Sequence, residues 1–147
     1  MKNTEYYKHQ ARFSKAAELY VRAKLLLLGF YPASFDTDDG CDIILDNGIR
    51  VQVKSALSRL QGKRFVWAFS LKSGHEGRPL DLNKFDYLIC VGFIKTNTFE
   101  DSQTFIIPRS KLACRATLSI PVDFNDSQYK VYADYFLSPH TLGGDTS

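Results

Sequence analysis

The chain has 147 residues, 44% of them hydrophobic and 24% charged, with a formal net charge of +3. That length points to one domain, residues 1–147, able to bury about two thirds of its unfolded surface, and the composition excludes a disordered or fibrous chain. The longest uninterrupted apolar run, Leu25 to Leu28, is far too short to cross a bilayer, and the mild positive charge permits a nucleic-acid partner without arguing for one.

Three cysteines, Cys41, Cys90 and Cys114, are odd in number and lack CxxC spacing. They fit buried thiols in a reducing cytoplasm better than a disulfide framework or a zinc site. No charged-then-apolar leader opens the sequence, so a cytoplasmic setting is expected. There is no repeat, and only the tail from Gly143 to Ser147 has a loose composition.

From about Tyr6 to Leu28 the chain lacks Gly and Pro and is rich in Ala, Leu, Lys and Arg, which predicts a long first helix. Phe13, Ala16, Ala17, Tyr20, Ala23 and Leu27 recur at spacings of three and four and form the expected buried stripe. Gly29 is placed to cap the C-terminus. Glu18 sits at the margin of the stripe, where it either pairs with Arg22 on an exposed face or reaches toward the sheet. Phe30-Tyr31-Pro32 begins a short extended piece. The polar loop Ser34 to Gly40 carries Asp36, Asp38 and Asp39, whose spacing does not fit an EF-hand calcium loop.

The central stretch is Asp42 to Lys54. Asp46-Asn47-Gly48 is a turn signal, because Asn-Gly supplies the positive φ angles of tight hairpins. After it, Ile49, Val51 and Val53 alternate with Arg50, Gln52 and Lys54, the period of a strand. Residues two apart on a strand lie roughly 6.5–7 Å apart and point the same way. Gln52 and Lys54 therefore project together, with Asp42 entering from the paired strand. Asp42, the Gln52 amide oxygen and the Val53 carbonyl are hard donors that suit magnesium, and Lys54 can stabilise charge on a phosphate under attack. The competing reading is a solvated strand face with a cross-strand Asp–Lys pair.

Beyond it, Ser55 to Arg64 is expected to be a loop in which Arg59, Lys63 and Arg64 can track a phosphate backbone. Phe65, Trp67, Phe69 and Leu71 predict a strand with one core face. In the loop Ser73 to Pro79, His75 has no second His at ligand spacing, and His9 and His140 are isolated. Asp86 is read as structural, before the doubly buried strand Leu88 to Ile94. Thr96 to Ser102 connects to a strand at Thr104 to Ile107, ended by Pro108. Ser110 to Cys114 suggests a helical turn, Ala116 to Ile120 a strand, and Asp126 to Leu137 a second helix. The result is an α/β architecture with a mixed central sheet flanked by helices, and no glycine-rich phosphate loop.

Asp42-Ile43-Ile44, a short hairpin and Gln52-Val53-Lys54 resemble the PD-(D/E)XK nuclease signature in its Gln-X-Lys variant. Together with the helix glutamate Glu18, Gly29-Phe30-Tyr31, the acidic loop and Ile106-Ile107-Pro108, the order is most similar to intron-encoded homing endonucleases, over roughly Phe13 to Tyr135. Cys41 stands where the motif's proline falls, and Gln52 replaces an acid, which implies weaker metal binding. The resemblance implies a restriction-endonuclease-like core and hydrolysis of double-stranded DNA to 5′-phosphate and 3′-hydroxyl ends. It implies Glu18, Asp42, Gln52 and Lys54 as catalytic residues. Asp42, Gln52 and the Val53 carbonyl would hold Mg2+, with Glu18 supporting through water and Mn2+ able to substitute. It also implies a homo-oligomer, a dimer or tetramer. Arg50, Arg59, Lys63 and Arg64 are the expected DNA contacts. Rival expectations are a restriction or Holliday-junction repair nuclease of the same fold, a catalytically inactive nuclease-fold DNA-binding protein, or an unrelated cytoplasmic domain.

Overall fold

The structure, a computed structural model, describes residues 4–34, 42–72, 81–112 and 116–133. The acidic loop with Asp36, Asp38 and Asp39, the cysteines Cys41 and Cys114, the loop with His75 and His140 near the C-terminus lie outside them.

Helix α1 runs from Thr4 to Leu27. Without a Gly or Pro in this span nothing breaks it, and its end is explicit. Gly29 adopts φ 98°, its N–H donates to Leu26 O at 3.0 Å, and the Phe30 N–H donates to Leu25 O at 3.0 Å. That pair of bonds is a Schellman closure, for which a residue without a Cβ is the unstrained choice. The buried stripe differs from the expected one. Ala17, Val21 and Leu25 are fully buried, with Phe13, Ala16, Tyr20 and Leu28 beside them, whereas Ala23 is exposed and Leu27 is 84% exposed. Four consecutive leucines place an apolar group on every side of a helix, so periodicity at that end does not fix the phase.

Eight strands follow: β1 (Ala33–Ser34), β2 (Ile43–Ile44), β3 (Arg50–Leu57), β4 (Arg59–Gln61), β5 (Arg64–Ser70), β6 (Tyr87–Phe93), β7 (Gln103–Pro108) and β8 (Thr117–Pro121). They form a five-stranded mixed sheet in the order β1-β2-β3-β6-β7 and a three-stranded sheet in the order β4-β5-β8. The pairing β3–β6 is parallel and the others are antiparallel. The expected hairpin between β2 and β3 is present, with a different turn. Only Gly48 has positive φ, at 89°. The Gly48 N–H donates to Leu45 O and the Leu45 N–H to Ile49 O, giving a three-residue loop closed by its glycine.

Val51 and Val53 of β3 and Ile89, Val91 and Phe93 of β6 pack against Ala17, Val21 and Leu25 of α1. On the other face, Leu88, Cys90, Phe105 and Ile107 meet Trp67, Phe69, Leu118 and Ile120 of the smaller sheet. The mixed α/β class is as expected, but a sheet rather than a helix covers this second face. Ser55 to Arg64 is likewise not a loop: β3 continues to Leu57, and residues 59–61 turn through Gly62 and Lys63 into β5.

Within the described part of Asp126 to Leu137 there is no α-helix. Phe124–Asp126 and Gln128–Tyr132 are 3-10 turns, the second opened by the Ser127 hydroxyl accepting from the Tyr129 N–H at 3.1 Å. Tyr129 and Tyr132 at a spacing of three fit one such turn as well as they fit an α-helix. Arg109–Lys111 is also 3-10.

The two layers meet most closely where the Trp67 indole lies flat on Gly92. A Cβ built on Gly92 would stand 2.5 Å from Cδ2 and Cε2 of that ring, and the indole Nε1–H donates to Phe93 O at 3.0 Å. Gly92→Ala is expected to lower the free energy of unfolding by about 1–3 kcal/mol, the usual cost of overpacking a filled core. Urea denaturation of the two proteins measures it.

Candidate active site

β2 covers only Arg50 and Val51 of β3. At Asp42 the backbone ladder gives way to a side chain: the Asp42 N–H donates to Val51 O at 3.0 Å, and Asp42 Oδ2 accepts the Val53 N–H at 2.8 Å. The carboxylate thus replaces a strand carbonyl and is held against β3. Along the open edge beyond runs a cleft of about 1000 Å³, lined by Glu18, Asp42, Gln52, Val53 and Lys54, with Ser14 and Lys15 of α1 and Ala68, Ser70 and Lys72 around it.

The residues singled out in the sequence therefore border one cavity, although they come from different faces. Val51 and Val53 point toward α1. Gln52 and Lys54 pair in register with Leu88 and Cys90 and so look toward the smaller sheet. Asp42 sits at the edge between them and Glu18.

Gln52 is only 8% exposed, which rules out the solvated strand face. Its Oε1 is buried without a hydrogen-bond partner. Lys54 Nζ donates to Lys72 O at 3.2 Å. Burial pushes the Lys54 ammonium below the usual lysine range, partly opposed by Asp42 and Cys90. Burial likewise raises the Asp42 carboxyl, helped by the charge of Glu18 and opposed by the Val53 amide, Lys54 and Arg22. Cys90 is fully buried and its thiol is pushed far up by burial, in keeping with an inert core thiol.

Glu18 does both things considered for it. It lines the cleft and also pairs with Arg22, Nη2 to Oε1, at 3.1 Å. Arg22, expected only as a surface partner of Glu18, has a larger part. Its guanidinium also donates to Asp42 O at 3.3 Å and Pro32 O at 3.4 Å, so it ties the helix glutamate to the backbone that carries Asp42. The spacing of four from Glu18 was the available signal, and it does not show the two carbonyls.

Arg50 is held elsewhere. Its Nη2 pairs with Asp86 Oδ1 at 3.2 Å and its Nη1 donates to Asn83 O at 2.9 Å, while Asp86 Oδ2 accepts the Arg50 N–H at 2.9 Å. This clamp anchors the start of β3. Arg59, Lys63 and Arg64 are exposed on the β4–β5 hairpin, and Arg59 lines the cleft. Among the described residues no group of three His, Cys, Asp or Glu is brought together as a cation cage.

No family model and no curated protein matches the sequence. What the layers define is a mixed α/β fold with a single covering α-helix among the described residues. The solved structure of a bacterial homing endonuclease, I-Ssp6803I, aligns with a TM-score of 0.60 at 17% sequence identity, over 86% of this chain and 90% of that one. At that identity the likeness speaks for the fold.

Two measurements follow from the geometry. Burial works against the Asp86 carboxylate, but the bonds and charge of Arg50, with the charge of Arg109, outweigh it and hold the carboxyl below its usual range. A depressed carboxyl stabilises the fold above the unfolded value, near about pH 4, and loses that contribution as pH falls through the folded value. The melting temperature of Asp86→Asn should therefore lie below wild type at neutral pH, with the gap closing under about pH 4. An orphaned buried acceptor costs about 1–3 kcal/mol. Gln52→Leu, close in volume and apolar, is accordingly expected to be at least as stable as wild type in chelator, measured by urea denaturation.

Proposed function

We propose that the chain is a metal-dependent endonuclease acting on double-stranded DNA, of the site-specific homing kind. The observation that carries this reading is the buried, unpartnered Gln52 Oε1 in a cleft that also holds the Asp42 carboxylate and the Lys54 ammonium. Polar atoms are seldom left in this condition, and an oxygen acceptor beside a carboxylate is half of a hard-cation site. The homing endonuclease with which the fold aligns supports the same reading.

The donor set fits Mg2+ or Mn2+: Asp42, Gln52 Oε1 and the Val53 carbonyl would hold the ion, and Glu18 would support it through water. When bound, the ion supplies a Lewis acid that draws electrons from a scissile phosphate and acidifies water. The remaining work falls to the protein. Asp42 is fixed by the Val53 amide, so its carboxylate enters the cleft with little freedom. Lys54, anchored on Lys72 O, places a desolvated positive charge where a phosphorane oxygen gains negative charge, an interaction stronger in the transition state than in the ground state. Arg22 orients Glu18 through their ion pair. Cutting both strands of a duplex needs two such clefts, and a homo-oligomer with two-fold symmetry provides them.

Supercoiled plasmid and intron-junction duplexes test the reading. Wild-type protein should cut in Mg2+ or Mn2+ and stop in chelator. Lys54→Ala should be slower by about 10²–10³-fold, the usual loss when one charge-stabilising donor is removed. Addition of Mn2+ should raise the melting temperature of wild type and leave that of Gln52→Leu unchanged. If no DNA is cut under any of these conditions and Lys54→Ala behaves identically, the catalytic reading is wrong. DNA binding that is equally tight in chelator would then favour an inactive nuclease-fold DNA-binding protein.

A further inference from the structure

We infer that the β4–β5 ribbon is a base-reading element, in which Arg59, Gln61 and Arg64 enter the major groove of duplex DNA. The inference rests on the reading of the cleft as a site for duplex DNA and adds what selects the sequence.

Strand alternation places the residues. Trp67 and Phe69 of β5 point into the core, so Arg64, Val66, Ala68 and Ser70 lie on the opposite side, where Ala68 and Ser70 line the cleft. The register pairs Arg59 with Val66 and Gln61 with Arg64. Arg59, Gln61 and Arg64 consequently share the cleft side of the ribbon, and Lys63 stands at its tip beside Gly62, whose φ is 65°.

The ribbon also protrudes. Phe65 continues the apolar stripe of Trp67 and Phe69, yet it is 56% exposed, as is its cross-strand partner Leu60 at 62%. The stripe runs past the end of the core at the Leu60–Phe65 pair, and Gln61 and Arg64 beyond it are exposed, whereas Val66 opposite Arg59 is still buried. Three cross-strand pairs span about 7 Å, and the major groove, roughly 12 Å wide, admits a two-stranded ribbon.

The charges of the ribbon have no partner among the described residues. Arg22 and Arg50 are in ion pairs and Lys95 pairs with Glu100. Among the described residues no bond or ion pair engages the side chains of Arg59, Gln61, Lys63 or Arg64. Three cations crowded on one hairpin repel one another, and an anionic partner relieves the cost. Gln61 between two arginines adds what phosphate binding does not require. Arginine forks match guanine O6 and N7, and a glutamine amide matches adenine N6 and N7.

Sequence selection from a random duplex library, using Lys54→Ala protein so that bound DNA stays intact, tests this. Adding Gln61→Ala or Arg64→Ala should lower discrimination at one base pair each by roughly 5- to 150-fold while keeping the rest of the selected sequence. Gln61→Glu should re-specify that position toward cytosine, whose amino group donates to a carboxylate. Lys63→Ala should instead weaken all sequences alike and reduce the salt slope of binding by about 1. The three substituted side chains are exposed, and melting temperatures equal to the parent protein confirm folding. An unchanged selected sequence in the Gln61 and Arg64 variants overturns the inference, whether or not overall affinity falls. Plasmid cleavage by wild-type protein reports separately on the nuclease reading, so cutting with unchanged selectivity sinks the ribbon alone.

Discussion

The bond from the Val53 amide to the Asp42 carboxylate is the constraint from which the cleft follows. An ordinary hairpin would carry β2 along β3 and close its edge with main-chain carbonyls. Here β2 stops after two residues, and one side-chain oxygen satisfies the next amide of β3. Among the described residues the edge beyond Val53 stays open, without an orphaned amide at that point. Because the group that finishes the ladder is charged, the opening begins with a carboxylate whose position is set by the backbone.

A second consequence of the open edge is that donors from both faces of β3 reach one cavity. Helix α1 packs on Val51 and Val53 and brings Glu18 to the rim, while Gln52 and Lys54 look toward the smaller sheet. Arg22 joins the two sides, since it holds Glu18 and the carbonyls of Asp42 and Pro32 together. Basic residues then fall into two groups. Arg22 and Arg50 are spent on carboxylates and carbonyls that fix the frame of the cleft, and among the described residues the side chains of Arg59, Lys63 and Arg64 on the β4–β5 hairpin have no partner, while other cations such as Lys54 and Lys95 are engaged elsewhere.

The strand carrying Gln52 and Lys54 was legible because alternation over Ile49 to Lys54 is strict and its turn has a glycine where one is needed. That Gln52 is buried was not legible: period-2 patterning separates two faces but does not say what covers them. The same limit explains Phe65, which belongs to the core stripe by period and is stranded beyond the core by the length of β5. Helix α1 was legible in extent and, from Phe13 to Tyr20, in its buried stripe; Ala23 and Leu27 were misplaced, because Leu25 to Leu28 satisfy any phase. The β4–β5 hairpin was hidden by its polar composition, since exposed strands three residues long carry no apolar signal. The turns at Phe124–Asp126 and Gln128–Tyr132 were mistaken for an α-helix because a spacing of three is common to both. Arg50 was read with the DNA-facing cations, and its acidic partner lies 36 residues on, a distance at which sequence spacing is silent.

The parallel pairing of β3 with β6 bears on the order of folding. Lys54 lies opposite Cys90 in that register, and beyond Val51 no backbone of β2 steadies the strand. The half of β3 that carries Gln52 and Lys54 meets α1 and the Asp42 carboxylate early, but it gains its main-chain partner only from a segment made some three dozen residues later. Such distant pairings are slow to form, because closing the intervening loop costs entropy before any contact repays it. During synthesis the hairpin around Asn47 can form early, while the cleft stays unassembled until the chain through Phe93 has left the ribosome.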